Sequence, residues 1–205
     1  MRTKLLSADT PNAIPHAIDV LQHGGLVAFP TDTVYGLAAP VFNIESIERL
    51  YLVKGRNHTK AIAVLLGDAG DLDKVASQIN VAARKLAKNF WPGPLTLVLP
   101  RHPDLPELLA PLPTIGVRVP NHPIALELLH ATGPLAVTSA NLSGAESACS
   151  ANDVLEQLAG RVHLVLDGGK TPGGVPSTVV DCTGPEFVIL RAGPISLDNL
   201  QKALA

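Results

Sequence analysis

Residues 135–144, Leu-Ala-Val-Thr-Ser-Ala-Asn-Leu-Ser-Gly, decide how this chain is expected to fold. The first three residues form an apolar run of the kind that makes a short buried strand. Four hydrogen-bonding side chains then follow within six residues, which is more than a turn needs for its own backbone. Polar loops at strand ends are where α/β proteins usually place their binding sites. The stretch therefore predicts a strand that carries part of a site at its end.

The same alternation of short apolar runs and helical patterns extends along the chain. Strands are predicted at residues 26–29, 62–66, 95–99, 115–119, 135–137, 163–166, 178–181 and 187–190. Helices are predicted at residues 13–23, 44–53, 72–79, 82–90, 123–131, 151–159 and 197–204. Ser150 followed by Asp153 has the pattern of a capping box at the start of one of these helices. We therefore expect a single-domain α/β fold, in which helices flank a twisted mixed sheet of parallel and antiparallel strands. The domain is predicted at residues 10–196, followed by a C-terminal helix at 197–205.

The composition favours a compact globular protein and excludes several classes. Of 205 residues, 46% are apolar and 17% are charged, which is enough for one buried core and far from the composition of a disordered chain. A net charge of −2 gives no bulk reason to expect nucleic-acid binding, although a local basic patch could exist. The N-terminus has no signal-peptide pattern, and no apolar run approaches the ~20 residues that span a bilayer. We therefore predict a cytoplasmic protein with no membrane partner.

Hydroxyl groups follow the first predicted strand. In the segment 29–36, Thr31 and Thr33 fall on the same side if the chain stays extended, before Gly36 makes a turn. Their hydroxyls could bond the carboxylate or amine of a ligand. They could equally satisfy donors within the turn itself, so this segment alone leaves both interpretations open.

Three cationic side chains have the surroundings of an anion site. Lys54 and Arg56 follow a predicted helix, where cations are favourable for dipole reasons but could also clamp a triphosphate. Arg118 lies inside an apolar strand and needs an anionic partner there, because an unpaired buried charge is very costly. That partner could be a protein carboxylate or a substrate carboxylate. Since acids are sparse in the neighbouring sequence, we favour the substrate.

The sequence contains no standard metal or nucleotide signature. Its seven histidines and two cysteines have no metal-ligand spacing, so no protein metal site is predicted. It has neither a P-loop nor a GxGxxG fingerprint, so a bound nucleotide would lie outside those cradles. Ser177 and Thr178 open a late strand and Arg191 closes the last one, which adds polar groups at strand ends.

Five ordered motifs resemble those of the YrdC family, the threonylcarbamoyl-AMP synthases, in their short single-domain form. The resemblance covers roughly residues 12 to 196. The motifs are Pro30–Leu37, Lys54 with Arg56, Trp91–Pro94, Ser139 with Asn141, and Ser177–Val179. The chain departs from the family pattern at four positions, where the family usually has Pro, Asn, His and Glu: Asn57, Lys60, Leu65 and Pro176.

The resemblance implies a concave basic cavity and a nucleotidyltransferase reaction. L-Threonine, bicarbonate or CO2, and ATP would give threonylcarbamoyl-AMP and pyrophosphate, the first step of threonylcarbamoyladenosine modification of tRNA. The residues implied to hold L-threonine are Thr33, Arg118, Ser139 and Ser177. Those implied to hold ATP are Lys54, Arg56, Thr114, Asn141, Ser147 and Arg191, with Lys54 and Arg56 as the catalytic cations. Mg2+ would arrive with ATP, and the implied partner is a downstream tRNA threonylcarbamoyl transferase, whereas a direct contact with RNA or tRNA is left open.

Two other functions share parts of this pattern. The first is a non-catalytic RNA-binding module that uses the same cavity, with a patch formed by Lys54, Arg56, Lys60, Arg84, Lys85 and Lys88. The second is the carbamoyl-transfer domain of hydrogenase maturation proteins, which shares the fold. Those domains occur in much larger chains with acylphosphatase and zinc-finger segments, and neither pattern is present in this sequence.

Overall fold

Ten strands form one mixed sheet in the computed structural model of this protein, which describes residues 2–205. Their order is β1-β8-β2-β3-β7-β4-β6-β5-β9-β10, with parallel and antiparallel neighbours mixed along the sheet. The strands are β1 (Lys4–Ser7), β2 (Val27–Phe29), β3 (Gly36–Pro40), β4 (Ala63–Leu65), β5 (Leu95–Pro100), β6 (Thr114–Arg118), β7 (Leu135–Ser139), β8 (Leu164–Asp167), β9 (Thr178–Asp181) and β10 (Val188–Arg191). The predicted mixed α/β sheet is confirmed.

Helices flank the sheet on both faces. They are α1 (Ala13–Gln22), α2 (Ile44–Lys54), α3 (Val81–Phe90), α4 (Pro123–Thr132), α5 (Ala151–Leu158) and α6 (Leu197–Leu204). The predicted capping box is confirmed at α5, where the Ser150 hydroxyl accepts from the Asp153 N–H and the Asp153 carboxylate accepts from the Ser150 N–H. Across residues 2–205, no helix has both the length and the apolar character needed to cross a bilayer.

Alternation along the strands divides the core between the two faces of the sheet. On β2, Val27 and Phe29 pack on the face covered by α1 and α4, whereas Ala28 packs on the opposite face with α2, α3 and α5. These side chains are fully buried, and each large apolar side chain buried in this way stabilises the fold by about 1.5–3 kcal/mol. α6 joins the second face through the buried Leu200 and packs against α3.

The face that carries α1 and α4 is covered over only part of its width. Beyond them, the side chains of β4, β5, β6 and β9 on this face line a cavity, while alternate residues of the same strands pack into the opposite core. On these four strands, the residues that line the cavity are Ala63, Leu65, Thr96, Val98, Thr114, Gly116, Arg118 and Val179. No helix formed by residues 2–205 contributes to the lining, so strands and loops alone shape this cavity.

Two strands and one non-helical segment were not predicted by the periodicity. Gly36 opens β3 rather than making a turn, and the strand was missed because most of its side chains are small. Residue 36 has to be small, because a Cβ at Gly36 would come 2.9 Å from Val137 Cγ1. β1 is a short, mostly exposed edge strand. The predicted helix at 72–79 is wrong. A 3-10 helix ends at Lys74, Ala76 then bridges to Arg101, and Gln78 has a φ of 49°.

Candidate active site

The cavity on the open half of the sheet has a volume of about 510 Å³, which is within the usual range for small-molecule sites. Of the ten residues predicted from the sequence to bind substrate, the structure brings eight into its lining. These are Thr33, Arg56, Thr114, Arg118, Ser139, Ser147, Ser177 and Arg191. Lys54 and Asn141 do not line it.

Arg118 ends β6 with its guanidinium held on three sides. Its Nε donates to the Gly93 carbonyl at 2.9 Å, Nη1 donates to Thr33 Oγ1 at 2.9 Å, and Nη2 donates to Asp32 Oδ1 at 2.5 Å. The expectation that a substrate carboxylate would be its partner is therefore wrong in one respect: a protein carboxylate already pairs with it. The sequence hid this partner, because Asp32 precedes Arg118 by 86 residues. One N–H remains on each of Nη1 and Nη2 to face a ligand.

Thr31 and Thr33 form a hydrogen-bonded pair beside this arginine. Their hydroxyl oxygens lie 3.0 Å apart, and the Thr31 hydroxyl donates to the Val34 carbonyl at 2.7 Å. The Thr33 hydroxyl therefore donates to Thr31 while it accepts from Arg118. These hydroxyls satisfy the turn, which is one of the two interpretations, and they also line the cavity, so their bonding to a ligand stays a prediction.

Arg191, at the end of β10, contacts the start of β9. Its Nε and Nη2 donate to the Ser177 carbonyl at 3.0 and 2.8 Å, and Nη2 also lies 3.0 Å from Ser177 Oγ. The Ser177 hydroxyl in turn lies 2.8 Å from Thr96 Oγ1. Thr96 was missed in the sequence, where the available signal was a polar residue inside an apolar strand. The network fixes Arg191 and Ser177 relative to each other.

Gly193 allows the Arg191 segment to approach Ser177 closely. A Cβ at Gly193 would lie 2.4 Å from the Thr178 nitrogen and 2.7 Å from the Ser177 carbonyl carbon, both backbone atoms. We expect Gly193→Ala to destabilise the protein by about 1–3 kcal/mol and to displace Ser177 from Arg191. The unfolding temperature and the turnover number of the variant should both decrease. Gly184→Ala is the matched control, because its Cβ would meet its first neighbour at 3.5 Å. Equal stability of the two variants would contradict this interpretation.

Lys54 lies outside the cavity lining and is hydrogen-bonded to the backbone at the end of β7. Its Nζ donates to the Ser139 carbonyl at 2.5 Å and to the Asn141 carbonyl, and the residue is only 2% exposed. Burial, with a smaller contribution from the positive charge of Arg56, lowers the pKa of Lys54 to about 7. The prediction that Lys54 lies directly beside ligand phosphates is not supported by this position. Lys54 instead bonds the chain at the end of β7, where Ser139 faces the cavity, and at the start of the loop that follows.

Asn141 also acts within that loop. Its Nδ2 donates to the carbonyls of Leu142 and Ala145, both at 2.8 Å, which fixes the orientation of the amide. Its Oδ1 is buried and accepts no hydrogen bond from any described residue. Asn141 therefore shapes the loop and does not present its side chain to the cavity lining.

Arg56 lies on a tight loop after α2. Gly55 ends the helix in the left-handed region with a φ of 58°, and Arg56 then donates to the carbonyls of Lys60 at 3.2 Å and Ala61 at 2.7 Å. The Tyr51 hydroxyl lies 3.2 Å from the same Lys60 carbonyl and fastens the loop to α2. Arg56 is half-buried, and burial lowers its pKa. The loop therefore places the Arg56 guanidinium at the cavity, and no carboxylate of the described residues pairs with it.

The charges around the cavity favour an anionic ligand. Its lining, drawn from residues 2–205, contains Arg56, Arg118 and Arg191 and no Asp or Glu. Burial lowers the pKa of each of these arginines, which is the sign of cations removed from water. An anion in the cavity would offset that cost. Within the same part of the chain, no three His, Cys, Asp or Glu side chains come together as metal ligands would.

Comparisons with known proteins agree with one another. The Sua5/YciO/YrdC family model, described as "Telomere recombination", matches residues 19–193. The chain is similar to the threonylcarbamoyl-AMP synthase of Bacillus subtilis (strain 168), with 40% identity over 98% of this chain and 59% of the relative. It also resembles the crystal structure of P. abyssi Sua5 complexed with L-threonine, with a TM-score of 0.92 and 38% identity over 99% of this chain and 59% of that one. E. coli YciO gives a TM-score of 0.86 and 29% identity, over 97% of this chain and 98% of that one. The chain thus spans somewhat more than half the length of the first two relatives.

Proposed function

This chain belongs to the Sua5/YciO/YrdC family, and on that premise we propose that it is a threonylcarbamoyl-AMP synthase. It would condense L-threonine, bicarbonate or CO2, and ATP into threonylcarbamoyl-AMP and pyrophosphate. The observation that carries the proposal is the cavity itself, in which three arginines and several hydroxyls, without a carboxylate, surround a space of small-molecule size. Such a lining suits a polyphosphate and an amino-acid carboxylate side by side.

The threonine end of the cavity would lie at Arg118. The two remaining terminal N–H groups of Arg118 would bind the substrate carboxylate, and the hydroxyl groups of Thr33, Ser139 and Ser177 would lie around the rest of the threonine.

ATP would bind along the remaining lining. Arg56 and Arg191 would neutralise the phosphates, and Thr114 and Ser147 would add hydroxyl contacts. Lys54 and Asn141 would contribute by holding the end of β7, which carries Ser139, and the loop that follows it. Because the described residues form no carboxylate cluster, Mg2+ would be held by the phosphates and water rather than by protein ligands.

The proposed reaction takes its nucleophile from the substrate. The threonine amine adds to CO2, loses a proton and becomes a carbamate. A carbamate oxygen then attacks the α-phosphorus of ATP, and the bond to the pyrophosphate oxygen breaks. Since the nucleophile comes with the substrate, the protein has to position two anions and neutralise the charge that develops on the phosphates. The arginine-rich lining supports this division of work.

The same proposal covers location and partners. A protein that uses ATP and prepares a group for tRNA would work in the cytoplasm, and its product would be consumed by a tRNA threonylcarbamoyl transferase. Non-catalytic RNA binding is less favoured, because the basic residues of α3 lie outside the cavity lining. Arg84 pairs with Asp73 at 2.8 Å, and Lys85 donates to the Leu204 carbonyl at 3.0 Å.

Pyrophosphate release from ATP tests the proposal. The purified protein is expected to release pyrophosphate only when both L-threonine and bicarbonate are present. Release that is independent of threonine, or no release by a folded protein, would contradict the proposal. Tight RNA binding that weakens steeply with salt, without ATP consumption, would favour the binding module instead.

A further inference from the structure

Asp32 lies next to the arginine that would receive the threonine carboxylate but outside the cavity lining. We propose that Asp32 is a positioning residue, which holds the Arg118 guanidinium in the orientation that binds the amino-acid substrate. This inference rests on the proposed function and adds to it a residue that would act through Arg118 without touching the substrate.

The carboxylate of Asp32 is anchored independently of the arginine. Oδ1 accepts from the Asn121 backbone N–H at 3.0 Å and from Arg118 Nη2 at 2.5 Å. Asn121 lies in the connection between β6 and α4, so one oxygen links the turn after β2 to the chain just beyond β6. The side chain of Asp32 is 12% exposed and that of Arg118 is 7% exposed. An anchored, largely buried acceptor of this kind can set the direction of a longer side chain.

The three partners of Arg118 together fix the plane of its guanidinium. Gly93 holds Nε, Thr33 holds Nη1 and Asp32 holds Nη2. Asp32 is the charged member of this set, and charge-assisted bonds are about twice as strong as neutral ones. Without it, Nη2 would lose its only protein acceptor among the described residues.

The charge of Asp32 also stabilises the cation where it is buried. Burial disfavours the charged form of Arg118, and the neighbouring cation Arg191 adds to that cost, whereas Asp32 opposes both effects. A competing consequence is that Asp32 reduces the net positive charge offered to a ligand. Orientation is expected to dominate, because a carboxylate needs two aligned N–H donors and a misplacement of about 1 Å can cost a factor of about 100.

Asp32→Asn is the direct test. The amide keeps the size of the side chain and an oxygen for the Asn121 N–H, but it removes the charge. We expect the KM for L-threonine to rise about tenfold or more, while the KM for ATP stays within about twofold. Asp32→Glu restores a carboxylate and should recover most of this loss. Asp32→Ser removes the charge without an amide and should show the same selective shift. Because KM does not depend on how much of the protein is folded, the shift can be measured even in a variant that folds poorly.

Asp73→Asn is the matched control. It removes a carboxylate from an exposed pair with Arg84, where the side chains of Arg84 and Asp73 are 53% and 66% exposed, and should leave both KM values unchanged. An unchanged threonine KM in folded Asp32→Asn or Asp32→Ser would overturn the inference, as would an equal loss for threonine and ATP. A wild-type protein without threonine-dependent pyrophosphate release would overturn the proposed function, and this inference with it. If the wild-type protein is active and the Asp32 variants keep its KM for L-threonine, this inference alone would be overturned.

Discussion

Arg118→Ala is expected to reduce kcat/KM for L-threonine by a factor of about 30 to 1,000. The substitution would remove the proposed bidentate contact with the substrate carboxylate, and losing such a contact costs about 2–4 kcal/mol in the transition state. The effect should appear mainly with threonine, since Arg56 and Arg191 remain to hold phosphates. Pyrophosphate release at varied threonine and at varied ATP measures the two dependences separately.

The same substitution should also destabilise the fold. Arg118 and Asp32 form a largely buried pair, and removal of one partner leaves an uncompensated charge that costs about 3–5 kcal/mol. Activity must therefore be compared per folded molecule, with the folded fraction taken from thermal unfolding. Arg118→Lys keeps the charge and should be more stable, yet it should remain poorly active because an ammonium has no planar fork. Near-normal turnover in either variant would refute the role given to Arg118.

Arg56→Ala is expected to reduce kcat/KM for ATP by a similar factor of about 30 to 1,000 without destabilising the fold. The Arg56 side chain has no carboxylate partner in the described chain, and it is bonded only to the carbonyls of Lys60 and Ala61 in its own loop. Its loss should therefore remove a positive charge that would neutralise the phosphates, and it should leave the core intact. The measurement is pyrophosphate release at varied ATP, together with the unfolding temperature.

Lys60→Ala provides the control for this loop. Lys60 is exposed on the same turn, and the bonds to Arg56 and Tyr51 use its backbone carbonyl, which the substitution retains. Its KM for ATP should stay within about threefold of the wild-type value, as expected for a screened surface charge. If Arg56→Ala and Lys60→Ala behaved alike, Arg56 would have no specific function at the phosphates.

The parts of the fold that depend on local patterns could be predicted from the sequence. Short apolar runs rich in Val, Ile and Leu identified β5, β6 and β9, and the helix at 197–204 matches α6 because its capping serine and apolar spacing are local signals. β3 could not be predicted in the same way. Its glycine, alanines and proline give no strand signal, and only its position between β2 and β7 makes it a strand.

The candidate site was predictable as a set of residues but not in its contacts. Eight of the predicted positions converge on the cavity because they end strands or lie in loops on one side of the sheet. The pair of Arg118 with Asp32 and the bonds from Lys54 to the carbonyls of Ser139 and Asn141 join segments more than 80 residues apart. No local pattern encodes such pairs, so the role implied for Lys54 at the phosphates put it in the cavity, whereas the structure places it outside the lining.

Identification of the product by mass spectrometry tests the central claim most directly. The purified protein would be incubated with ATP, L-threonine and bicarbonate, once with unlabelled and once with carbon-13-labelled bicarbonate. We expect a threonylcarbamoyl-adenylate whose mass rises by one unit with the label, formed together with pyrophosphate. Pyrophosphate accompanied by AMP alone, or an adenylate of threonine without the added carbon, would contradict it.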